Sequence, residues 1–193
     1  MNKEIKLGIN IPYYENSKEA HELAKKLFLE RLEPIFKKNR NIIPLMYHDK
    51  NGIGCGKVRN IINEVLIPYV DYIIYIDSDD YVDEDYFEKV YEACKEGYDI
   101  IETRFSVREK YLLPVREKLP NHVTGIAYKV DLIKDLKFNE NRLIGEDTEY
   151  NTYINENKEY TKKVIDSVYY YNLGMNNECL TYKYQRGEIN EFC

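Results

Sequence analysis

The chain contains no tryptophan and only four cysteines, Cys55, Cys94, Cys179 and Cys193. They are scattered, with no Cys-x-x-Cys pair and no histidine beside them. That argues against a structural zinc site and a disulfide scaffold, and fits a reducing compartment. No apolar run approaches the roughly 20 residues a spanning helix needs. Met1-Asn2-Lys3-Glu4-Ile5-Lys6 leads straight into strand-like sequence, so no secretory leader is expected either. There is no excess of positive charge. A formal net charge of −6 disfavours non-specific binding to a phosphate backbone, so no nucleic-acid partner is indicated. Repeats, low-complexity tracts and interdomain linkers are also missing. The expectation is one domain over residues 1–193, in a cytoplasmic protein or one peripheral to a membrane.

What is present is globular: 44% hydrophobic and 32% charged residues, with 20 tyrosines. Segments rich in Ile, Val and Tyr alternate with helix-like stretches, the pattern of an α/β sheet. Strands are expected at Ile5–Ile11, Ile42–His48, Tyr72–Asp77, Asp99–Arg108, Val123–Lys129 and Lys163–Tyr171. Asn16-Ser17 should cap a helix carrying Leu23, Leu27, Phe28, Leu32, Ile35 and Phe36 at helical spacing, kinked or restarted at Pro34. Further helices are expected at Lys57–Leu66, Asp83–Glu96 (stopped by Gly97), Val130–Leu136 and Glu146–Asn155. A polar stretch with Pro114 and Pro120 reads as a surface excursion, and the tail from Asn172 as loop or short helix.

The run Tyr72-Ile73-Ile74-Tyr75-Ile76-Asp77-Ser78-Asp79-Asp80 carries the most chemistry. An apolar strand wants burial, whereas the three aspartates resist it unless something pairs with them. Placing the strand in a sheet and the acids at its carboxyl end puts them where open α/β sheets form ligand crevices. Carboxylates so spaced offer hard oxygens to Mg²⁺ or Mn²⁺, usually shared with a phosphate ligand. The plainer reading is a solvated strand end in which Asp80 or Asp83 caps the next helix. A calcium loop fits worse, because Val82 stands where its glycine belongs and a strand precedes it.

Two other segments invite a function. Gly56-Lys57-Val58-Arg59-Asn60 follows a loop with three glycines and starts a helix, whose free N–H groups and cations suit a diphosphate; solvated cations are the alternative. It lacks the spacing of a Walker loop. Gly145-Glu146-Asp147 offers a carboxylate able to accept a proton, or simply an acidic first turn favoured by the helix dipole.

Taken in order, Ile11-Pro12-Tyr13-Tyr14-Glu15, Gly56-Lys57-Val58-Arg59-Asn60, Tyr75-Ile76-Asp77-Ser78-Asp79-Asp80 and Ile144-Gly145-Glu146-Asp147 resemble the family 2 glycosyltransferases of the GT-A fold. Val168-Tyr169-Tyr170-Tyr171 and Cys179-Leu180-Thr181 look like that family's closing strand and its Ser-Leu-Thr segment. The resemblance implies one GT-A domain with a mixed, mostly parallel sheet flanked by helices. It implies inverting transfer of a hexosyl or N-acetylhexosaminyl group from a nucleoside diphosphate donor, by family habit a UDP-sugar, with Mn²⁺ or Mg²⁺. Asp79 matches the metal-binding aspartate, and Asp77 the one that contacts the ribose and reaches the metal. Asp147 matches the base. Pro12, Tyr14, Ser78, Glu146, Lys57 and Arg59 fall on donor-binding positions, Tyr14 near the base and Arg59 near the diphosphate.

The chain departs from the family in two places. His48-Asp49-Lys50-Asn51-Gly52 merges two family segments, as though a helix and strand after strand two were deleted. Asp49 becomes the candidate uracil-contacting acid. Thr148-Glu149 stands where the family often has an aromatic residue, which bears on the acceptor pocket. His122 is a candidate metal ligand, against the plainer reading of a solvated loop histidine. The acceptor itself (glycan, lipid, protein or modified base) is left open. A nucleotidyltransferase of related fold and a non-catalytic nucleotide-sugar binding protein are the rival readings.

Overall fold

The computed structural model describes residues 4–14, 17–107, 122–172 and 187–189. Glu15, Asn16, Pro114, Pro120, the Cys179-Leu180-Thr181 segment, Cys193 and most of the tail after Asn172 lie outside the described residues. Among the described residues, seven strands form one sheet: β1 (Leu7–Tyr13), β2 (Ile42–His48), β3 (Tyr72–Tyr75), β4 (Tyr81–Val82), β5 (Ile100–Val107), β6 (Ile126–Lys129) and β7 (Lys162–Tyr171). Their order is β2-β1-β3-β6-β5-β7-β4. β1 pairs in parallel with β2 and β3, and β5 with β7, while β6 runs antiparallel to β3 and β5, and β4 to β7. Five strands therefore point one way, which gathers their carboxyl ends on one edge of the sheet.

The period-two geometry of a strand explains how Tyr72–Ile76 can be wholly apolar. Tyr72, Ile74 and Ile76 join one buried cluster with Leu7, Ile9, Leu27, Phe87 and Val90. Ile73 and Tyr75 join a second cluster, on the other face, with Val58, Ile62, Tyr128 and Ile154. The first face is covered by α1 (Lys18–Leu27), α2 (Glu33–Lys38) and α4 (Tyr86–Cys94), the second by α3 (Cys55–Leu66), α5 (Val130–Ile133) and α6 (Glu146–Asn157). Tyrosine suits these interiors because its ring fills volume while its hydroxyl finds a partner. Tyr72 donates to the Tyr98 carbonyl, Asn63 donates to Tyr75, and Tyr128 donates to Asn151.

The first helical run restarts at Pro34, as expected, and adds a π turn that the sequence did not announce. Ser17 caps α1, its hydroxyl accepting from the Ala20 N–H at 3.0 Å. The run widens into a π turn over Phe28–Leu32 and resumes as α2 with Pro34 in its first turn, the Glu33 N–H reaching back to the Phe28 carbonyl. Proline lacks an N–H and its ring crowds the carbonyl four residues earlier, and one wide turn relieves both. The inserted residue also rotates the apolar stripe, burying Leu27 and Leu32 and leaving Phe28 exposed. Elsewhere the boundaries shift by a few residues. β1 starts later and reaches Tyr13, β3 ends at Tyr75, and α4 covers only Tyr86–Cys94. Neither Asp80 nor Asp83 caps α4, whose N-cap position is Asp85. Asp83 instead accepts the Val168 N–H at 3.1 Å. β2 leads through six residues directly into α3, the expected shortening. No helix among the described residues is long and apolar enough to cross a membrane.

Candidate functional site

The carboxyl edge of the sheet holds a cleft of about 730 Å³. Into it come Pro12, Tyr13 and Tyr14 from the end of β1, Asp49 and Gly52 from the loop after β2, and Arg59 from α3. Asp77, Ser78 and Asp79 enter from the turn after β3, Glu146, Asp147 and Thr148 from the first turn of α6, and Phe105, His122, Thr124, Tyr171 and Asn172 from the β5–β7 side. Of the residues expected to touch donor or metal or to act as the base, Lys57 stays outside, and Asp80 of the acidic run lies behind the cleft. Lys57 is exposed and does not line the cleft, because on α3 it sits beside rather than on the face that buries Gly56, Val58 and Arg59.

The aspartate turn is locked from behind. Asp80 is 2% exposed and accepts from the Tyr169 hydroxyl and, at 2.8 Å, from the Asn172 N–H. The Tyr169 hydroxyl also accepts the Asp77 N–H at 3.2 Å, and the Asn172 amide donates to the Asp79 carbonyl. The third carboxylate of the run is thus a strut between the turn and the end of β7. Burial, then the neighbouring Asp77 charge, pushes the Asp79 carboxyl up to about 6. Burial and the charges of Asp79 and Asp77 raise Asp80 well above the carboxylate range.

Arg59 organises the opposite wall. Its guanidinium is 2% exposed and lies over the Phe138 ring at 5.4 Å. One terminal nitrogen donates to Glu146 Oε1 and the other to Asp77 Oδ1, both at 2.7 Å. Burial works against this cation, but Cys55, Asp77, Glu146 and Asp147 around it hold its pKa well above the ordinary value. Burial pushes Glu146 up to about 7 against the pull of Arg59. The sequence offered Arg59 to a diphosphate and Glu146 to the donor; in the structure each is the other's partner. Asparagines tie this wall to the core, a role not read from the sequence. Asn10 donates to the Arg59 carbonyl and to Asn63, and Asn60 brackets Phe138 by donating to its carbonyl and accepting its N–H.

Asp49 is likewise occupied. It is 5% exposed, with one oxygen accepting the Asn51 N–H and the other the Gly54 N–H, so it shapes the glycine loop while lining the cleft. Asp147 is reached differently. Gly145 adopts φ +80°, a conformation strained for any other side chain, and starts α6 so that Asp147 faces the cleft. Its Oδ1 accepts the Thr148 N–H at 2.7 Å. Gly56 permits the close contact between α3 and the segment leading to α6: a Cβ there would stand 2.9 Å from the Asn139 carbonyl oxygen and 3.2 Å from Glu146 Cγ. Gly56→Ala should therefore lower stability by about 1–3 kcal/mol, as overpacking does, and weaken ligand binding in the cleft. A denaturant melt beside a nucleotide titration checks both.

Among the described residues no three His, Cys, Asp or Glu side chains converge as a closed metal cage. The turn offers two carboxylates, Asp79 and the Asp77 oxygen that Arg59 leaves free. Two hard oxygens with room for others suit Mg²⁺ or Mn²⁺, which commonly take one or two carboxylates and complete their shell with phosphate and water. His122 is not grouped with them as a ligand set. Its Nδ1 is 2.6 Å from Thr124 Oγ1 and its ring packs against Phe105. Phe105, Thr124 and Asn172 also line the cleft, and no motif marked them in the sequence, whereas Tyr171 belongs to the closing-strand motif. A recognisable signal for Phe105 and Asn172 would have been their place at or beyond the carboxyl end of a strand; Thr124 precedes the antiparallel β6.

No protein-family model matches the chain, and no curated protein matches it in sequence. Solved structures do. S. aureus TarS 1-349 in complex with UDP is similar with TM-score 0.62 and 17% identity, over 88% of this chain and 61% of that one. The same protein in complex with UDP-GlcNAc gives 0.61 and 17%, over 87% and 58%. A197 from STIV gives 0.55 and 17%, over 89% and 87%. The chain thus spans about three-fifths of the TarS structures. These likenesses show the fold: a GT-A-like, mixed α/β architecture with one sheet flanked by helices.

Proposed function

We propose that this chain is an inverting glycosyltransferase that moves a sugar from a nucleoside diphosphate donor, a UDP-sugar, to an acceptor hydroxyl. The observation that carries the reading is the convergence of Pro12, Tyr14, Asp77, Ser78, Asp79 and Asp147 on one cleft at the carboxyl edge of the sheet. Its fold is that of TarS structures solved with UDP and UDP-GlcNAc, which supports the choice of donor.

Pro12, Tyr14 and the Asp49 loop form the nucleoside end, Ser78 and Asp77 the ribose side. Lys57 has no part in it. Asp79 and Asp77 hold Mn²⁺ or Mg²⁺, which when bound neutralises charge developing on the leaving diphosphate. Asp147 takes the proton of the acceptor hydroxyl as that oxygen attacks the anomeric carbon. Glu146 does not supply a second, nucleophilic carboxylate, because it is buried against Arg59. This supports single displacement, and hence inversion. Arg59 acts as a positioning residue, fixing Asp77 and the start of α6 relative to each other.

Titration calorimetry with UDP, GDP, CDP and TDP, with Mn²⁺ and with chelator, tests the site. The expected result is binding of UDP only with the metal, lost in Asp79→Ala. A companion assay with UDP-GlcNAc, UDP-glucose and UDP-galactose, or with nucleoside triphosphates, reads the released product. Release of UDP supports the reading. Pyrophosphate release would make the chain a nucleotidyltransferase, and metal-independent binding without turnover a binding protein.

A further inference from the structure

The cleft has a second end that the donor does not explain. The nucleoside wall stands on β1 and β2, whereas Phe105 is on β5 and Tyr171 ends β7. In the order β2-β1-β3-β6-β5-β7-β4, β5 is three places from β1. At about 4.8 Å per strand this is a separation of roughly 14 Å, with the aspartate turn of β3 between. Phe105, His122 and Tyr171 form a continuous aromatic surface there. Ring centroids of Phe105 and His122 are 4.6 Å apart, those of Phe105 and Tyr171 6.0 Å, and those of His122 and Tyr171 6.4 Å. All three are partly exposed and line the cleft together with Thr124 and Asp147.

We propose that this aromatic shelf is the acceptor subsite and that it takes a pyranose ring, so that the acceptor is a carbohydrate; the assignment to an acceptor rests on the function proposed above. The faces of aromatic rings are electron-rich and attract the slightly positive C–H face of a sugar, while the sugar's hydroxyls point to the rim. The rim here is polar. The Thr124 hydroxyl engages His122 Nδ1 at 2.6 Å, so Nε2 is the ring nitrogen that a ligand hydroxyl would meet. Burial lowers the His122 pKa, so the ring is neutral and can accept or donate. Asp147 enters the same cleft from α6, and its charge acts on His122. The charge of the cleft disfavours a nucleic-acid acceptor: Asp77, Asp79 and Asp147 all line it, and the whole chain carries −6. Among the described residues lining the cleft, the one Lys or Arg is Arg59, already paired with Asp77 and Glu146, so none of them faces a phosphate backbone.

Saturation-transfer NMR with methyl β-N-acetylglucosaminide and methyl β-galactoside, in the presence of UDP and Mn²⁺, tests the shelf. Calorimetry with UDP and with UDP-GlcNAc runs alongside on the same proteins. The expected result is transfer to the ring C–H protons of one glycoside, weakened about five-fold or more in Phe105→Leu and Tyr171→Leu. Phe105→Trp should retain it, and UDP affinity should be unchanged in all three. The leucine variants keep apolar volume, and unaltered thermal unfolding separates a lost stacking face from a lost fold. Failure of both glycosides to bind while UDP binds would overturn the shelf and spare the donor reading. Weakened UDP-GlcNAc with unchanged UDP would show that the shelf holds the donor's own sugar, and would overturn the acceptor assignment. Competition by a thymidine dinucleotide or a serine peptide for the same surface would overturn it as well. Glycoside binding that the variants abolish, without any nucleotide binding, would sink the donor reading and leave the pyranose site standing.

Discussion

Arg59→Met is expected to destabilise the protein by about 3–5 kcal/mol, the cost of removing one partner from a buried ion pair. The guanidinium is 2% exposed and holds Glu146, 6% exposed at its side chain, and Asp77, 25% exposed, each at 2.7 Å. Methionine fills the space against Phe138 but leaves two carboxylates facing each other across it. Burial already raises Glu146 to about 7 with the cation in place. Without the cation the carboxyl rises further, and the folded state binds more protons than the unfolded one above the ordinary glutamate pKa. Stability that depends on that proton is present at low pH and lost as pH rises through the folded-state pKa. The variant should accordingly recover stability between pH 7.5 and pH 5. Glu146→Gln added to Arg59→Met should restore part of the loss at pH 7.5, because a neutral amide needs only hydrogen bonds. Urea melts of the two variants at both pH values measure the whole pattern. Equal destabilisation at both, unrelieved by Glu146→Gln, would mean that lost packing, not charge, is responsible.

That pattern also shows what the sequence could and could not convey. The continuous apolar run Tyr72–Ile76, the glycines opening α3 and α6, and the acidic turn between them are local features, and they located the central strand and the centre of the cleft. The partners of Arg59 are not local. Glu146 is 87 residues away, and nothing in Gly56-Lys57-Val58-Arg59-Asn60 says whether a cation will meet a phosphate or a carboxylate. The same holds for Asp80, read as a helix cap although it is bound to Tyr169 and Asn172 some 90 residues on. Asp49 was matched to a uracil-contacting acid by its place in a merged family segment; it lines the cleft, and its oxygens also close its own loop. Lys57 was assigned as a second cation in the first turn of α3, but it stands two residues before Arg59, about 200° around the helix. Phe105 reads as an ordinary strand aromatic and Tyr171 as one residue of a closing-strand motif; the strand order brings both to the cleft that Asp147 also lines.

Asp147→Asn is expected to leave Mn²⁺-dependent UDP binding within about two-fold of wild type and to lower transfer by about 10²–10⁴, the range of a lost general base. Asparagine keeps the side-chain shape, and its Oδ1 can still accept the Thr148 N–H that now holds the aspartate at 2.7 Å. Gly145 and the α6 start are untouched, so the wall made with Arg59 and Glu146 persists. What disappears is a carboxylate able to take a proton. The contrast with Asp79→Ala makes the assignment specific, since that change should remove metal-dependent binding before any chemistry can be measured. Initial rates of sugar transfer, set against calorimetric affinities of the same preparations, separate the two effects. Full transfer activity in Asp147→Asn would remove Asp147 as the base. Among the acids lining the cleft, Glu146 is paired with Arg59, Asp49 closes its loop, and Asp77 and Asp79 are assigned to the metal. The proton would then have to leave through His122, whose neutral ring faces the same cleft, and His122→Asn should show the loss instead.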